Sequence, residues 1–153
     1  MGKERSTKSF FATTCPQKGG EGRFELDKFL AFVKANGDEH RMILIKGDPE
    51  SAIKKFMNDV VRERGKDENG NARTVGEGGP VASKGSNGIV EKGVQEVVGV
   101  TRRIFLSFSG KLGCRVDAKE RLVAWIPEYA AYLLNRLLTV SYTHLTLPTN
   151  REV

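Results

Sequence analysis

At 153 residues, with 39% hydrophobic and 29% charged side chains, the chain is long enough for one domain and too apolar for a disordered tail. No apolar run approaches the ~20 residues of a membrane span, and the opening residues lack the apolar core of a signal peptide, so an intracellular protein is expected. The formal net charge of +6 suits an anionic partner without requiring one.

Lys8 to Cys15, aromatic and β-branched and stopped by Pro16, is expected to be a strand. From Phe24 to Ala35 the residues Leu26, Phe29, Leu30 and Val33 recur at helical spacing, and Asn36-Gly37 reads as a left-handed cap. Arg41 to Lys46 is a short continuous apolar run, which suits a strand buried on both faces and adjacent to the strand of Ala12. Pro49 to Arg64 again has helical spacing, through Ile53, Phe56, Val60 and Val61, with Gly65 at its exit. Lys54, Lys55, Arg62 and Arg64 read as its solvated face.

Lys66 to Asn71 is a turn, Ala72 to Gly76 a short strand, and Glu77 to Ser86 a glycine-rich loop without the Gly-Lys-Ser/Thr order of a phosphate-cradling loop. Asn87 to Phe108 is the strongest helix signal, although Gly93 and Gly99 inside it each cost about 1 kcal/mol against alanine. A turn over Gly110 to Asp117 leads to a last helix from Lys119 to Leu138, which Pro127 bends or divides. Trp125, Tyr129 and Tyr132 in that helix read as core. Cys15 and Cys114 have no metal-ligand spacing and read as buried or idle thiols.

Strands alternating with helices imply an α/β fold, a mixed sheet with packed helices. Two acids then hold distinctive positions. Asp48 directly follows a strand and precedes a helix; Glu91 enters the first turn of the long helix just after the loop, in Ser-Asn-Gly-Ile-Val-Glu-Lys. Structural roles suffice for each: Asp48 as a helix N-cap, Glu91 as a first-turn acid meeting the helix dipole. Carboxylates converging at a sheet edge also suit a hard divalent cation, but two alone are an incomplete site.

Residues 140–153 stand apart. Val140 to Thr149 (VSYTHLTLPT) resembles the translation of a transposase-type sequencing adapter, so this tail is expected to lie outside the fold, and His144 receives no role. Removing it takes away Arg151 and Glu152 together, and the net charge stays at +6.

Ile45 to Ile53 (IKGDPESAI) and Gly79 to Gln95 (GPVASKGSNGIVEKGVQ) resemble the catalytic core of retrotransposon and retroviral integrases, and Phe10 to Gly19 and Trp125 to Asn135 resemble its flanking parts. The resemblance spans most of residues 5–138, giving a partial catalytic core over 1–139. It implies a ribonuclease-H-like fold in which three acids, Asp, Asp and Glu, hold two Mg²⁺ or Mn²⁺ ions, trim element DNA ends and transfer them into target DNA. It also implies a homo-oligomer and, in a eukaryotic host, work in the nucleus. Asp48 matches the second aspartate and Glu91 the glutamate, both catalytic and metal-binding. Asn87, Gly88, Lys92 and Gln95 are the implied DNA contacts. Gly47 stands where relatives usually have serine. The first aspartate belongs on a strand ahead of Phe10, and neither Asp27 nor Asp38 lies in a position to replace it. The chain is therefore expected to lack the first strands of the fold and to be inactive as it stands. The alternative reading is a non-catalytic basic module that only binds nucleic acid.

Overall fold

A computed structural model describes residues 1–15, 23–78, 88–114, 116, 117 and 119–138. The proposed tail, residues 79–86 of the expected glycine-rich loop and Asn87 fall outside them, whereas Glu77 and Gly78, expected in that loop, end a strand. Eight elements follow in order: β1 (Gly2–Lys3), β2 (Phe10–Phe11), α1 (Phe24–Ala35), β3 (Ile43–Gly47), α2 (Ser51–Arg64), β4 (Thr74–Gly78), α3 (Gly88–Leu112) and α4 (Arg121–Leu138). The chain is thus α/β, as expected. Its strands, however, form two separate pairs among the described residues, β1 antiparallel to β2 and β3 parallel to β4.

This corrects the expected adjacency of the Ala12 and Leu44 strands, and the reason is local. The backbone amide of Phe10 donates to Asn135 Oδ1 at 2.6 Å, and Asn135 Nδ2 donates to the Phe10 carbonyl at 2.9 Å. A side-chain amide on α4 therefore occupies the polar groups that a further strand would use. The two pairs are joined instead by aromatic packing. Phe11 of β2 meets Phe29 and Phe32 of α1 at centroid distances of 5.4 and 5.5 Å, and Phe29 meets Phe56 of α2 at 5.5 Å. Edge and tilted contacts of this kind are worth about 0.5–1.5 kcal/mol each beyond burial. The Arg23–Glu63 ion pair (2.7 Å) adds a tie between the start of α1 and the end of α2.

The main core lies where β2 meets α3 and α4: Phe10, Ala12, Val97, Ala130 and Ala131 are buried together, with Val100, Ile104 and Leu134 against them. Alanines at 130 and 131 let backbone approach α4 closely. α4 is continuous through Pro127, which neither divides nor ends it. Next to the carbonyl that the proline leaves without its amide, the Ala124 carbonyl accepts the Thr14 hydroxyl at 2.8 Å.

The β3-α2-β4 unit is held by Arg64. Only 9% exposed, it is a buried cation rather than part of a solvated face. One guanidinium nitrogen donates to the carbonyls of Asp38 (2.6 Å), Glu39 (3.1 Å) and Arg41 (2.8 Å). The other donates to the Arg73 carbonyl (3.1 Å) and the Thr74 hydroxyl (2.9 Å). Burial draws its pKa below the ordinary arginine value, with Arg73 adding to the shift and Asp38 opposing it. Gly65 at φ 61° then turns the chain into the Lys66–Ala72 arm. Expected as buried on both faces, β3 is covered on one only, since Leu44 is 56% exposed. Both cysteines are exposed free thiols.

The two glycines of α3 differ. A Cβ on Gly93 would stand 3.0 Å from Lys3 Cδ and 3.3 Å from Lys3 Cβ, whereas one on Gly99 would meet nothing within 4 Å. Lys3 is fixed over Gly93 by its ion pair with Glu96 (3.0 Å) and its ammonium over the Phe10 ring. Gly99→Ala is therefore expected to stabilise the protein by about 1 kcal/mol, raising Tm by roughly 2–4 °C in a thermal melt, while Gly93→Ala gives no such gain.

Candidate functional site

β3 and β4 run parallel and end level, with Gly47 opposite Gly78. Asp48 leaves the carboxyl end of β3, and β4 ends beside it at Gly78. An ion pair between Lys46 and Glu77 (3.0 Å) joins the strands one residue earlier. Asp48 is exposed. It is not the N-cap that its sequence position suggested: α2 begins at Ser51 with Glu50 as cap, and Glu50 makes no side-chain capping bond. Asp48 lies two residues ahead of that cap, on the turn between strand and helix.

Gly47 explains how the turn stays tight. A Cβ there would lie 2.7 Å from Ile53 Cγ2 and 3.2 Å from Met57 Sδ, so α2 packs directly on the strand end. The absence of a side chain at position 47 is thus a packing requirement of this chain.

On α3, Glu91 stands in the first turn as expected, and Gly88, Glu91, Lys92 and Gln95 are all exposed, whereas Gly93 and Val97 are buried. The inward residues pack toward Lys3, Phe10 and α4, which fixes the opposite face outward. The helix therefore brings four of the expected site residues onto one exposed face. Asn87, the fifth residue of this group, lies outside the described residues. Among the described residues no group of three or more His, Cys, Asp or Glu side chains is placed to hold a metal ion.

A shallow cavity of about 290 Å³ lies elsewhere, lined by His40, Met42, Asp67, Asn71, Ala72, Arg73 and Val75. It sits at the amino ends of β3 and β4, opposite Asp48. Its one carboxylate, Asp67, is occupied within its own turn. Oδ1 accepts the amides of Asn69 (3.0 Å) and Asn71 (2.7 Å), and the Asn71 amide leads the causes that lower its pKa.

The aromatic residues of α4 depart furthest from expectation. Trp125 and Tyr132 are each 50% exposed, and their rings form one stack with Tyr129. Ion pairing ties this helix to α1 through Lys28 and Glu128. No family model, curated protein or solved structure matches the chain. No described helix is long and apolar enough to cross a membrane.

Gly47→Ser tests the packing of the turn. The new Cβ must displace the branched Ile53 side chain, so the variant is expected to lose about 1–3 kcal/mol in a denaturant melt. Unchanged stability would show that α2 can move away from the strand end without loss.

Proposed function

We propose that this chain is part of an integrase-type catalytic core acting on DNA, with Asp48 and Glu91 as two of its site carboxylates. The observation that carries the reading is the level ending of β3 and β4, which sets Asp48 at the carboxyl edge of a parallel strand pair, with Glu91 on the next described element, α3. Carboxyl ends of parallel strands are where open α/β sheets gather their ligand-binding groups. A ribonuclease-H-like architecture in the complete domain belongs to the same proposal, supported by the order of strands and helices and by the residues over Ile45 to Ile53 and Gly79 to Gln95.

Asp48 and Glu91 are exposed carboxylates, the hard oxygen donors that Mg²⁺ or Mn²⁺ takes. They fit such an ion in kind and, among the described residues, fall short of a two-metal site in number. In a complete site the ions supply activation of water and stabilisation of the leaving oxygen in phosphoryl transfer. This chain's own contribution is to position. The tight turn at Gly47 orients Asp48, and the buried face of α3 turns Glu91 outward together with Lys92 and Gln95. Lys92 offers a phosphate contact and Gln95 a polar contact to the same DNA, with Gly88 at the start of that face; Asn87 remains the implied contact beside them in sequence.

DNA as partner is supported by the net charge of +6 and by exposed cations on two helices, Lys54 and Lys55 on α2 and Arg102 and Arg103 on α3. The same cations favour the second reading, a basic module that binds nucleic acid without chemistry. Oligomerisation and a nuclear site of action belong to the integrase reading alone.

The test separates the two. The chain extended upstream by an integrase-type strand carrying the first aspartate is expected to nick DNA or transfer strands with Mg²⁺ or Mn²⁺. Asp48→Asn or Glu91→Gln in that protein should abolish turnover. Duplex binding should persist in both variants and weaken with salt, each phosphate contact contributing roughly −0.9 to the slope of log K against log salt. Undiminished strand transfer by the Glu91→Gln variant would reduce Glu91 to a helix-end charge. Salt-dependent binding with no turnover in the extended protein would favour the basic module.

A further inference from the structure

A second surface, on α4, is independent of Asp48 and Glu91. Arg121, Trp125, Tyr129, Tyr132 and Arg136 follow one another at steps of four, four, three and four residues. At 100° per residue they fall within an arc of roughly 80°, a single stripe with a cation at each end. Its length is about 22 Å at 1.5 Å per residue.

The rings are already organised. Trp125 and Tyr129 stack at 4.7 Å with planes 17° apart, and Tyr129 and Tyr132 continue the stack at 6.2 Å and 15°. The Arg136 guanidinium lies 5.1 Å from the Tyr132 centroid and closes one end. The other end is the Trp125 ring, which no further ring or cation covers among the described residues. Neither Arg121 nor Arg136 forms an ion pair with a described carboxylate. Glu128, at the margin of the stripe, is held by Lys28.

We propose that this stripe binds single-stranded nucleic acid, bases stacking on and beside the exposed rings and phosphates meeting Arg121 and Arg136. Ring stacks flanked by cations match what an unpaired strand presents, a flat π face on each base and a charge on each linkage. Duplex DNA hides the base faces and offers only the charge. A second copy of the chain fits poorly: laid antiparallel, the stripes put Arg121 against Arg136, and laid parallel they put each arginine against itself. Like charges at both ends oppose either arrangement. At 3.4 Å per nucleotide the stripe spans about six nucleotides of a stacked strand.

Trp125 is the single tryptophan of the chain, so its fluorescence reports on this site alone. The full chain is titrated with oligothymidylate of roughly twice the spanned length, with a duplex of equal length, and with polyphosphate as a charge-only control. Oligothymidylate is expected to quench Trp125 saturably, and the other two are not. By anisotropy of labelled oligothymidylate, Trp125→Ala is expected to weaken binding about ten-fold or more, and Trp125→Phe to restore part of it. Arg136→Ala, whose side chain is exposed, tests the same stripe without touching the tryptophan and should weaken binding while raising the salt tolerance of what remains. Equal quenching by duplex or polyphosphate would overturn base stacking. Binding of oligothymidylate without quenching, unchanged in Trp125→Ala, would place the strand elsewhere. Self-association in sedimentation that Trp125→Ala abolishes would assign the stripe to a second copy. Any of these results, with duplex binding and the Asp48 and Glu91 effects intact, leaves the proposed function standing and removes only the α4 site.

Discussion

A single buried guanidinium organises the half of the molecule that carries Asp48. Arg64, the last residue of α2, reaches the carbonyls of Asp38, Glu39 and Arg41 in the stretch before β3, and the Arg73 carbonyl and Thr74 hydroxyl at the entry to β4. Among the described residues the β3-β4 pair has no neighbouring strand and only one covered face, so little else there supports it. Arginine suits the task because its planar fork keeps several donors fixed at once, which the single ammonium of lysine does not. Leaving a buried acceptor unmet costs about 1–3 kcal/mol, a penalty that applies in full to the Thr74 hydroxyl and in part to the half-buried carbonyls. With the strand entries fixed, their exits at Gly47 and Gly78 stay level, and the position of Asp48 follows.

Helices were the most legible part of the sequence. The spacing of Leu26, Phe29, Leu30 and Val33 with Asn36-Gly37 behind them gives α1 its observed limits, and Gly37 takes the left-handed conformation at φ 79°. α3 runs four residues past the expected Phe108: Gly110 does not end the helix, which continues through Leu112 and stops at Gly113, where φ is 64°. Strand partners were not legible. Nothing in the pattern of Lys8 to Cys15 reveals that Asn135, over a hundred residues away, takes the backbone groups of Phe10. Patterning reports which side chains are apolar; it does not report which polar side chain competes for a strand edge.

Site residues were legible to different degrees for a similar reason. The exposed face of Gly88, Glu91, Lys92 and Gln95 follows from helical spacing once Gly93 and Val97 are inside. Asp48 stands at the end of a strand, as its sequence position suggests, but its helix starts at Ser51 rather than Pro49, so the N-cap position falls to Glu50. Arg64 closes a cationic run whose other members, Lys54, Lys55 and Arg62, are exposed, so the pattern alone does not set it apart from a solvated face. Its distinguishing signal is position: a terminal helix residue directly before a positive-φ glycine can fold back under the following strand. The Trp125 ladder reads as core by spacing because aromatic stripes usually are buried. The arginines in phase at both ends, Arg121 and Arg136, are the sequence signal that this stripe faces water.

The dependence of the Asp48 edge on Arg64 is tested most directly by amide hydrogen exchange on an Arg64→Lys variant beside the parent chain. Lysine keeps the charge and removes the fork, so the expected result is faster exchange confined to Ile43–Gly47 and Thr74–Gly78, with the amides of α3 and α4 protected as before. Unchanged protection in β3 and β4, or an equal loss in α3 and α4, would contradict the claim that this one side chain holds the strand pair that presents Asp48.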